Sequence, residues 1–260
     1  MSGQPADADL ERRFGGLRRL YGDAGYQRVR AARVAVVGLG GVGSWAVEAL
    51  ARSGVARLVL IDLDQVAESN INRQVQALGS TVGLAKAEAL RRRIADIHPA
   101  CEVIAVEEFA GPDNWPGLLS AEVDVLIDAC DQSAAKLALA AWALARPMPL
   151  VCVGAAGGKQ QAQLVDVADL AEATHDPLLA NLRQRLRKQG AARHGRIGLR
   201  CVFSREAVAL PAQGGTSAVD GSLNCHGYGS SVTVTATFGL VAAGEALRLC
   251  RQGWPADKSL

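Results

Sequence analysis

Aromatic residues make up only 4% of the 260 residues, and Ala, Leu, Val and Gly dominate. Antiparallel sandwiches and barrels lean on aromatic and β-branched side chains, so this shortage favours strands alternating with helices. The six cysteines stand at 101, 130, 152, 201, 225 and 250, and no two are spaced Cys-x-x-Cys. That excludes a zinc site built from paired knuckles, and no zinc is expected. Cys130 and Cys152 follow apolar strand patterns and read as small buried hydrophobes. The start of the chain, with Asp7, Asp9 and Glu11, lacks the basic opening and apolar run of a secretory signal. A cytoplasmic protein without a disulfide framework is therefore expected. No apolar run reaches the roughly 20 residues needed to span a bilayer. The longest late run, Val232 to Gly244, carries three threonines and stops at Glu245, so it reads as a strand end leading into a buried helix and not as a transmembrane segment. Charge of one sign is also scarce: 28 Lys and Arg against 26 Asp and Glu leave a net charge of +2. That balance alone indicates no polyanionic partner, and local distribution must decide.

What is present is a large apolar fraction, 49%, enough to bury the core of one domain or at most two. Residues 1–32 form an amphipathic lead-in, with Phe14, Leu17, Leu20, Tyr21, Tyr26 and Val29 among arginines. Residues 33–260 read as one nucleotide-binding unit. Strands are expected at 34–37, 58–61, 102–106, 123–128 and 150–153, and helices from Ser44, over 84–96, near Trp115 and over 134–144. Further strands are expected at 161–165 and 199–204, and a flexible Gly/Ser/Thr-rich loop at 211–224. The fold class is α/β: a doubly wound, mainly parallel, Rossmann-like sheet with a C-terminal extension that contains strands.

The stretch from Val34 to Gln74 carries the chemistry. A valine-rich strand runs into Gly38-Leu39-Gly40-Gly41-Val42-Gly43, and a helix follows. Gly38 suits a tight turn, Gly40 and Gly41 a close approach of backbone to phosphate, and Gly43 close packing of helix on strand. An anion would then meet free amides at the helix's positive end. A second apolar strand ends at Asp62, nineteen positions after Gly43, where a carboxylate can accept from ribose hydroxyls, with Asp64 beside it. Such a loop specifies a nucleotide, not which one. Beyond it stand Asn70-Ile71-Asn72-Arg73-Gln74 and then Lys86. A dinucleotide pyrophosphate has no use for this extra cation pair, whereas a triphosphate does.

In these residues the chain resembles the ubiquitin-activating enzymes and their bacterial relatives that adenylate carboxylates in molybdopterin and thiamine synthesis. Within that superfamily it is most similar to the tRNA threonylcarbamoyladenosine dehydratases. The patches that carry the likeness are Arg13-Phe14-Gly15-Gly16 with Arg19-Leu20-Tyr21-Gly22, Gly154-Ala155-Ala156-Gly157-Gly158, Asp176-Pro177-Leu178, Cys201-Val202-Phe203-Ser204 and Val234-Thr235-Ala236-Thr237-Phe238-Gly239. The resemblance implies that Asp62 binds ribose, that Asn70, Arg73, Gln74 and Lys86 contact phosphates, and that Asp131 holds magnesium with Asp128 as a second or supporting carboxylate. ATP and magnesium are the implied cofactors, with Arg73, Lys86 and Asp131 as the catalytic set. A homodimer is also implied, and a sulfur-transfer partner is left open. Many relatives place an arginine four residues into the first motif, for the neighbouring subunit's ATP; here Gly16 stands there, leaving Arg13 and Arg19 as candidates.

A second feature is a run without acids. From Pro177 to Arg205 there is no Asp or Glu, while Arg183, Arg185, Arg187, Lys188, Arg193, Arg196, Arg200 and Arg205 are basic. Solvated faces mix both signs, so this stretch suits a polyanion, and the first six of these residues are the candidate tRNA contacts. With no interleaved aromatic before Phe203, phosphate holding is expected rather than base reading. Plainer roles exist for several of these residues. Lys86 could be a solvated helix charge, Asp128 a helix cap, the basic run a soluble loop, and Cys201 and Cys225 inert packing rather than nucleophiles. Two other function classes also stand beside a tRNA-modifying adenylating enzyme: an enzyme activating a ubiquitin-like sulfur carrier, and a nicotinamide-dependent oxidoreductase.

Overall fold

The computed structural model describes residues 8–146, 148–209 and 228–252. The expected loop at 211–224 and Cys225 lie outside them. Among the described residues a seven-stranded sheet runs β3-β2-β1-β4-β5-β7-β6, made of β1 (Arg33–Val37), β2 (Arg57–Ile61), β3 (Glu102–Val106), β4 (Val125–Asp128), β5 (Leu150–Val153), β6 (Val165–Asp169) and β7 (Arg200–Ser204). All pairings are parallel except β6 with β7. The chain winds outward from β1 through β2 to β3, then returns to place β4 on the other side of β1. The strand order therefore reverses between β1 and β4, and in such sheets the crevice at the C-terminal ends of those strands receives the ligand.

Among the described residues seven α-helices accompany the sheet: α1 (Leu10–Phe14), α2 (Gly16–Ala31), α3 (Gly43–Arg52), α4 (Lys86–Ile97), α5 (Ser133–Leu144), α6 (Pro177–Lys188) and α7 (Val232–Gln252). The sheet buries both faces. Along β1, Val34 and Val36 point to the core under α3, α4 and α7, while Ala35 and Val37 point to the core under α5 and α6.

Three expectations change. The segment 232–244 is helical throughout. Its Val-Thr-Val-Thr alternation mimics a strand, but Val234, Phe238, Ala242 and Ala246 are all completely buried at four-residue spacing, so packing on α3 and the sheet overrides β propensity. At 21 residues α7 has the length and apolar composition to cross a membrane, yet its inner stripe is part of the core. The helix expected near Trp115 is a series of turns, since Pro112 and Pro116 each remove a backbone donor. The strand expected at 161–165 starts only at Val165, after a 3-10 turn at Ala162–Leu164.

The lead-in helices are tied to the sheet by specific contacts. Arg13 donates to the carbonyls of Asp96 and Ile97 at the end of α4, at 2.9 and 2.7 Å. Phe14 packs against His98, ring centres 4.7 Å apart. His98 is 1% exposed; its Nε2 lies 3.0 Å from Arg30 Nη1, and its Nδ1 has no partner among the described residues. Burial, and then the Arg30 charge, lower the imidazole from 6.5 to about 4. The unfolded chain therefore takes up this proton first as pH falls. The histidine's contribution is present above about pH 6.5 and is lost progressively towards pH 4, by at most about 3 kcal/mol. Thermal melts of the protein and of His98→Gln should give curves of stability against pH that converge across this window as acid is added. A constant separation between them would show that His98 is not the titrating group.

Candidate active site

The phosphate loop is shaped by two close approaches. Gly38 has φ +86°, and a side chain on it would start 2.8 Å from the Ala129 carbonyl and the Cys130 amide. A side chain on Gly43 would overlap the Gly38 carbonyl oxygen. These contacts press the start of α3 onto the end of β1. Val42, the N-cap of α3, offers no side-chain oxygen; Ser44 N donates to Gly40 O at 3.1 Å, and the other first-turn amides, Gly43 N and Trp45 N, are the ones placed for an external acceptor. At Gly40 the space where a side chain would sit is open.

Acidic and cationic groups surround the loop. Asp62, 7% exposed, accepts from Leu39 N at 2.6 Å and from Asp64 N at 2.8 Å. Burial pushes its carboxyl above the usual range, against the opposing pull of Lys86 and these two donors. Lys86 begins α4 with its side chain buried, and its Nζ lies 2.7 Å from Asp64 Oδ2. Asp64 thus orients Lys86 from a half-exposed position.

The Asn70–Gln76 segment wraps the other side. Asn70 Oδ1 accepts from Ala67 N at 3.0 Å and closes a 3-10 turn, Glu68–Asn70. Arg73 donates to Ser69 O and Asn72 Oδ1, and its Cγ lies 3.2 Å from the point where a side chain on Gly41 would begin. Trp45 Nε1 of α3 donates to Arg73 O at 2.9 Å, and Gln76 Nε2 donates both to Leu39 O and to Gln74 Oε1, each at 3.0 Å. The structure therefore brings Asp62, Asp64, Asn70, Arg73, Gln74 and Lys86 together around the glycine loop.

Asp131 stands half-exposed in the turn after β4, the strand beside β1. Asp128 does not share its surroundings. It is fully buried, pairs with Lys136 Nζ at 2.8 Å and accepts from Cys130 N at 3.1 Å, while Gln132 is the N-cap of α5. Both its oxygens are engaged inside the protein, so it serves as internal support rather than as a helix cap. Among the described residues no three His, Cys, Asp or Glu side chains form a metal cluster. A single carboxylate at Asp131 nevertheless fits magnesium arriving with a nucleotide, since that ion keeps several waters and takes most other ligands from phosphates.

The sequence matches the ThiF family model over residues 13–258. The chain belongs to the ThiF family. It is 44% identical over 247 residues to the tRNA threonylcarbamoyladenosine dehydratase of Escherichia coli (strain K12), covering 91% of this chain and 92% of that one. It is 37% identical to the enzyme of the same name from Haemophilus influenzae, covering 92% of this chain and 93% of that one. The solved structure of the E. coli dehydratase in complex with ATP superposes with a TM-score of 0.85 at 42% identity, over 96% of this chain and 100% of that one.

Two patches that carried the resemblance, Gly154–Gly158 and Asp176-Pro177-Leu178, are joined by contacts that the sequence did not reveal. After β5, Asp176 caps α6 through Leu179 N and also accepts from Ala155 N at 2.8 Å. Lys159, 3% exposed, donates to His175 O at 2.8 Å and to Glu206 O. These bonds tie the Gly154–Gly158 segment to α6 and to the end of β7, and only long-range contact reveals them.

The basic stretch divides by role. Leu178, Leu179, Leu182 and Leu186 bury one face of α6. Arg183 donates to Leu170 O and Ala173 O, and Arg185 donates to Ser133 O at the first residue of α5. Arg200 pairs with Glu245 and Arg205 with Asp166. Arg187, Lys188 and Arg193 line one groove, and Lys188, Arg193 and Arg196 are exposed. Arg13, already bonded to the end of α4, and Arg19, exposed on α2, lie in the lead-in helices.

Gly43→Ala should weaken ATP binding by roughly tenfold or more while circular dichroism stays native, because the new methyl must push α3 away from Gly38 and displace the amides that meet phosphate. Calorimetry with ATP checks this, and unchanged affinity in the folded variant would show that α3 does not receive the nucleotide.

Proposed function

We propose that the chain is an ATP-dependent enzyme that adenylates the threonyl carboxylate of threonylcarbamoyladenosine beside the anticodon of tRNA and closes it to the cyclic form. The observation that carries this reading is the uncapped glycine loop overlain by Arg73, in a chain similar along nine-tenths of its length to dehydratases of that name. The substrate carboxylate attacks the α-phosphorus of ATP and pyrophosphate leaves. A nucleophile of the same side chain then closes a five-membered ring and expels AMP, so the balance is loss of one water. Holding both reacting groups on one side chain gives a high effective concentration and requires no enzyme nucleophile.

The protein's task is charge placement. The α3 amides and Arg73 stabilise the phosphates, Lys86 supports them from α4, and Asp62 holds the ribose. Asp131 would hold magnesium, which when bound neutralises charge on the departing pyrophosphate. Among the described cysteines, Cys130 and Cys201 fit a route without a thioester. Cys201 is fully buried, and burial together with the neighbouring Asp128 carboxylate pushes the Cys130 thiol well above its ordinary value, away from the reactive thiolate. A cytoplasmic setting suits a tRNA substrate. Pairing into a homodimer and docking of a sulfur-transfer protein are supported by the resemblance alone.

With tRNA carrying threonylcarbamoyladenosine and ATP, the protein should yield a nucleoside lighter by one water, read by mass spectrometry. Arg73→Ala and Asp131→Ala should each reduce its formation by about a hundredfold or more, with the fold intact by circular dichroism. Near-normal turnover in either folded variant would place the chemistry elsewhere.

The tRNA surface has a separate test. Replacing Lys188, Arg193 and Arg196 with Ala avoids Arg183, whose guanidinium holds two backbone carbonyls. Filter binding across salt should show weaker tRNA affinity, with the slope of log K against log salt reduced by about 0.7 to 0.9 per lost phosphate contact. ATP affinity should stay as it is, and an unchanged slope would leave the run as surface charge.

A further inference from the structure

One charged pair is not used by this mechanism. Lys136 and Asp128 are both completely buried, Nζ 2.8 Å from Oδ2. Burial alone would lower a lysine, but the Asp128 carboxylate overrides it and keeps Lys136 charged. Stability does not explain the pair, because replacing a buried ion pair with apolar groups of similar volume is often neutral or stabilising.

The remaining contacts of the pair lead to β5 and to the turn after β4. Lys136 Nζ also donates to Val153 O at 2.9 Å, which ties α5 to the end of β5. Asp128 Oδ1 accepts from Cys130 N at 3.1 Å and lies 2.8 Å from Cys130 Sγ. The turn fixed in this way, Ala129 to Asp131, abuts Gly38 of the phosphate loop on one side and carries Asp131 on the other. The ammonium takes one oxygen and leaves the other aimed at Cys130 N.

We propose that Lys136 is a positioning residue for adenylation: through Asp128 it sets the Ala129–Asp131 turn, and with it the placement of Asp131 towards the metal of the bound nucleotide. This rests on the reading of Asp131 as a metal ligand. A pair that merely supports the fold would change the melting temperature and leave the metal affinity of the folded protein alone.

The test uses Mn²⁺ as probe, with α,β-methylene ATP, measured by electron paramagnetic resonance on the full chain. The double variant Asp128→Asn with Lys136→Met removes both charges and leaves no lone buried ion. Should it not fold, Asp128→Asn with Lys136→Gln, two amides able to bond each other, takes its place. Asp131→Asn is the reference. Both the double variant and Asp131→Asn should weaken Mn²⁺ binding roughly tenfold or more, while the analogue's affinity without metal stays within about threefold. If Asp131→Asn weakens Mn²⁺ and the folded double variant does not, the role of Lys136 is overturned and the metal reading stands. If Asp131→Asn leaves Mn²⁺ unchanged, the metal reading fails, and the role of Lys136 falls with it. Equal loss of analogue binding without metal in the double variant would also overturn the proposal, since the pair would then be supporting the whole pocket.

Discussion

The carbonyl oxygen of Gly38 occupies the space that a side chain on Gly43 would need, and much of the site depends on that contact. It forces α3 to start against the end of β1, with its first amides uncapped. Apart from Leu39, which is buried in the core, and Val42, which packs beside it, the loop is glycine, so much of its shape must come from outside. Asp62 supplies one restraint through Leu39 N, Gln76 a second through Leu39 O, and the Ala129–Cys130 turn a third against Gly38. Each restraint comes from a different segment of the chain. A phosphate entering such a loop meets donors already in place, and little conformational freedom remains to be lost on binding.

The same logic separates what could be read from the sequence from what could not. That the glycine loop, Asp62, Arg73 and Lys86 come together was legible because close backbone approach and strand-to-loop order restrict residue type at fixed local spacing. The order of strands and helices was legible because apolar runs and periods are local too. Lys136 was not, because a lysine in an Ala/Leu helix acquires meaning only when β4 brings Asp128 beneath it and β5 offers Val153 O. Lys159 and Asp176 stayed hidden for the same reason, as their partners lie on other elements. In 232–244 the local signal misled: alternating Val and Thr favour a strand, and packing against α3 decided for a helix. In the basic run, composition gave the sign of the charge but not its use. Arg183 bonds carbonyls, and Arg200 and Arg205 face carboxylates, so fewer cations are available to a polyanion than a count suggests.

The position of α6 gives the remaining cations their significance. Arg185 reaches Ser133 O, two residues beyond Asp131, so the basic helix lies alongside the start of the helix that follows the candidate metal carboxylate. A polyanion held along Lys188, Arg193 and Arg196 would be gripped at a distance from the phosphate loop, since Ile197 and Gly198, next to Arg196, bond Asp169 where β7 begins, the opposite end of the parallel strands from that loop. Binding energy from contacts remote from the reacting carboxylate can then be used to hold that carboxylate at the α-phosphorus, which raises the rate of the chemical step as well as affinity. This arrangement also bears on the cysteines. A relay through an enzyme thiol is useful when acceptor and activated acid belong to different molecules. In the proposed reaction both belong to one side chain, and among the described cysteines Cys152 and Cys201 are sealed in the sheet while Cys130 is turned to Asp128. On the proposed reading the charged groups serve ATP and tRNA, and ring closure is left to the substrate's own geometry.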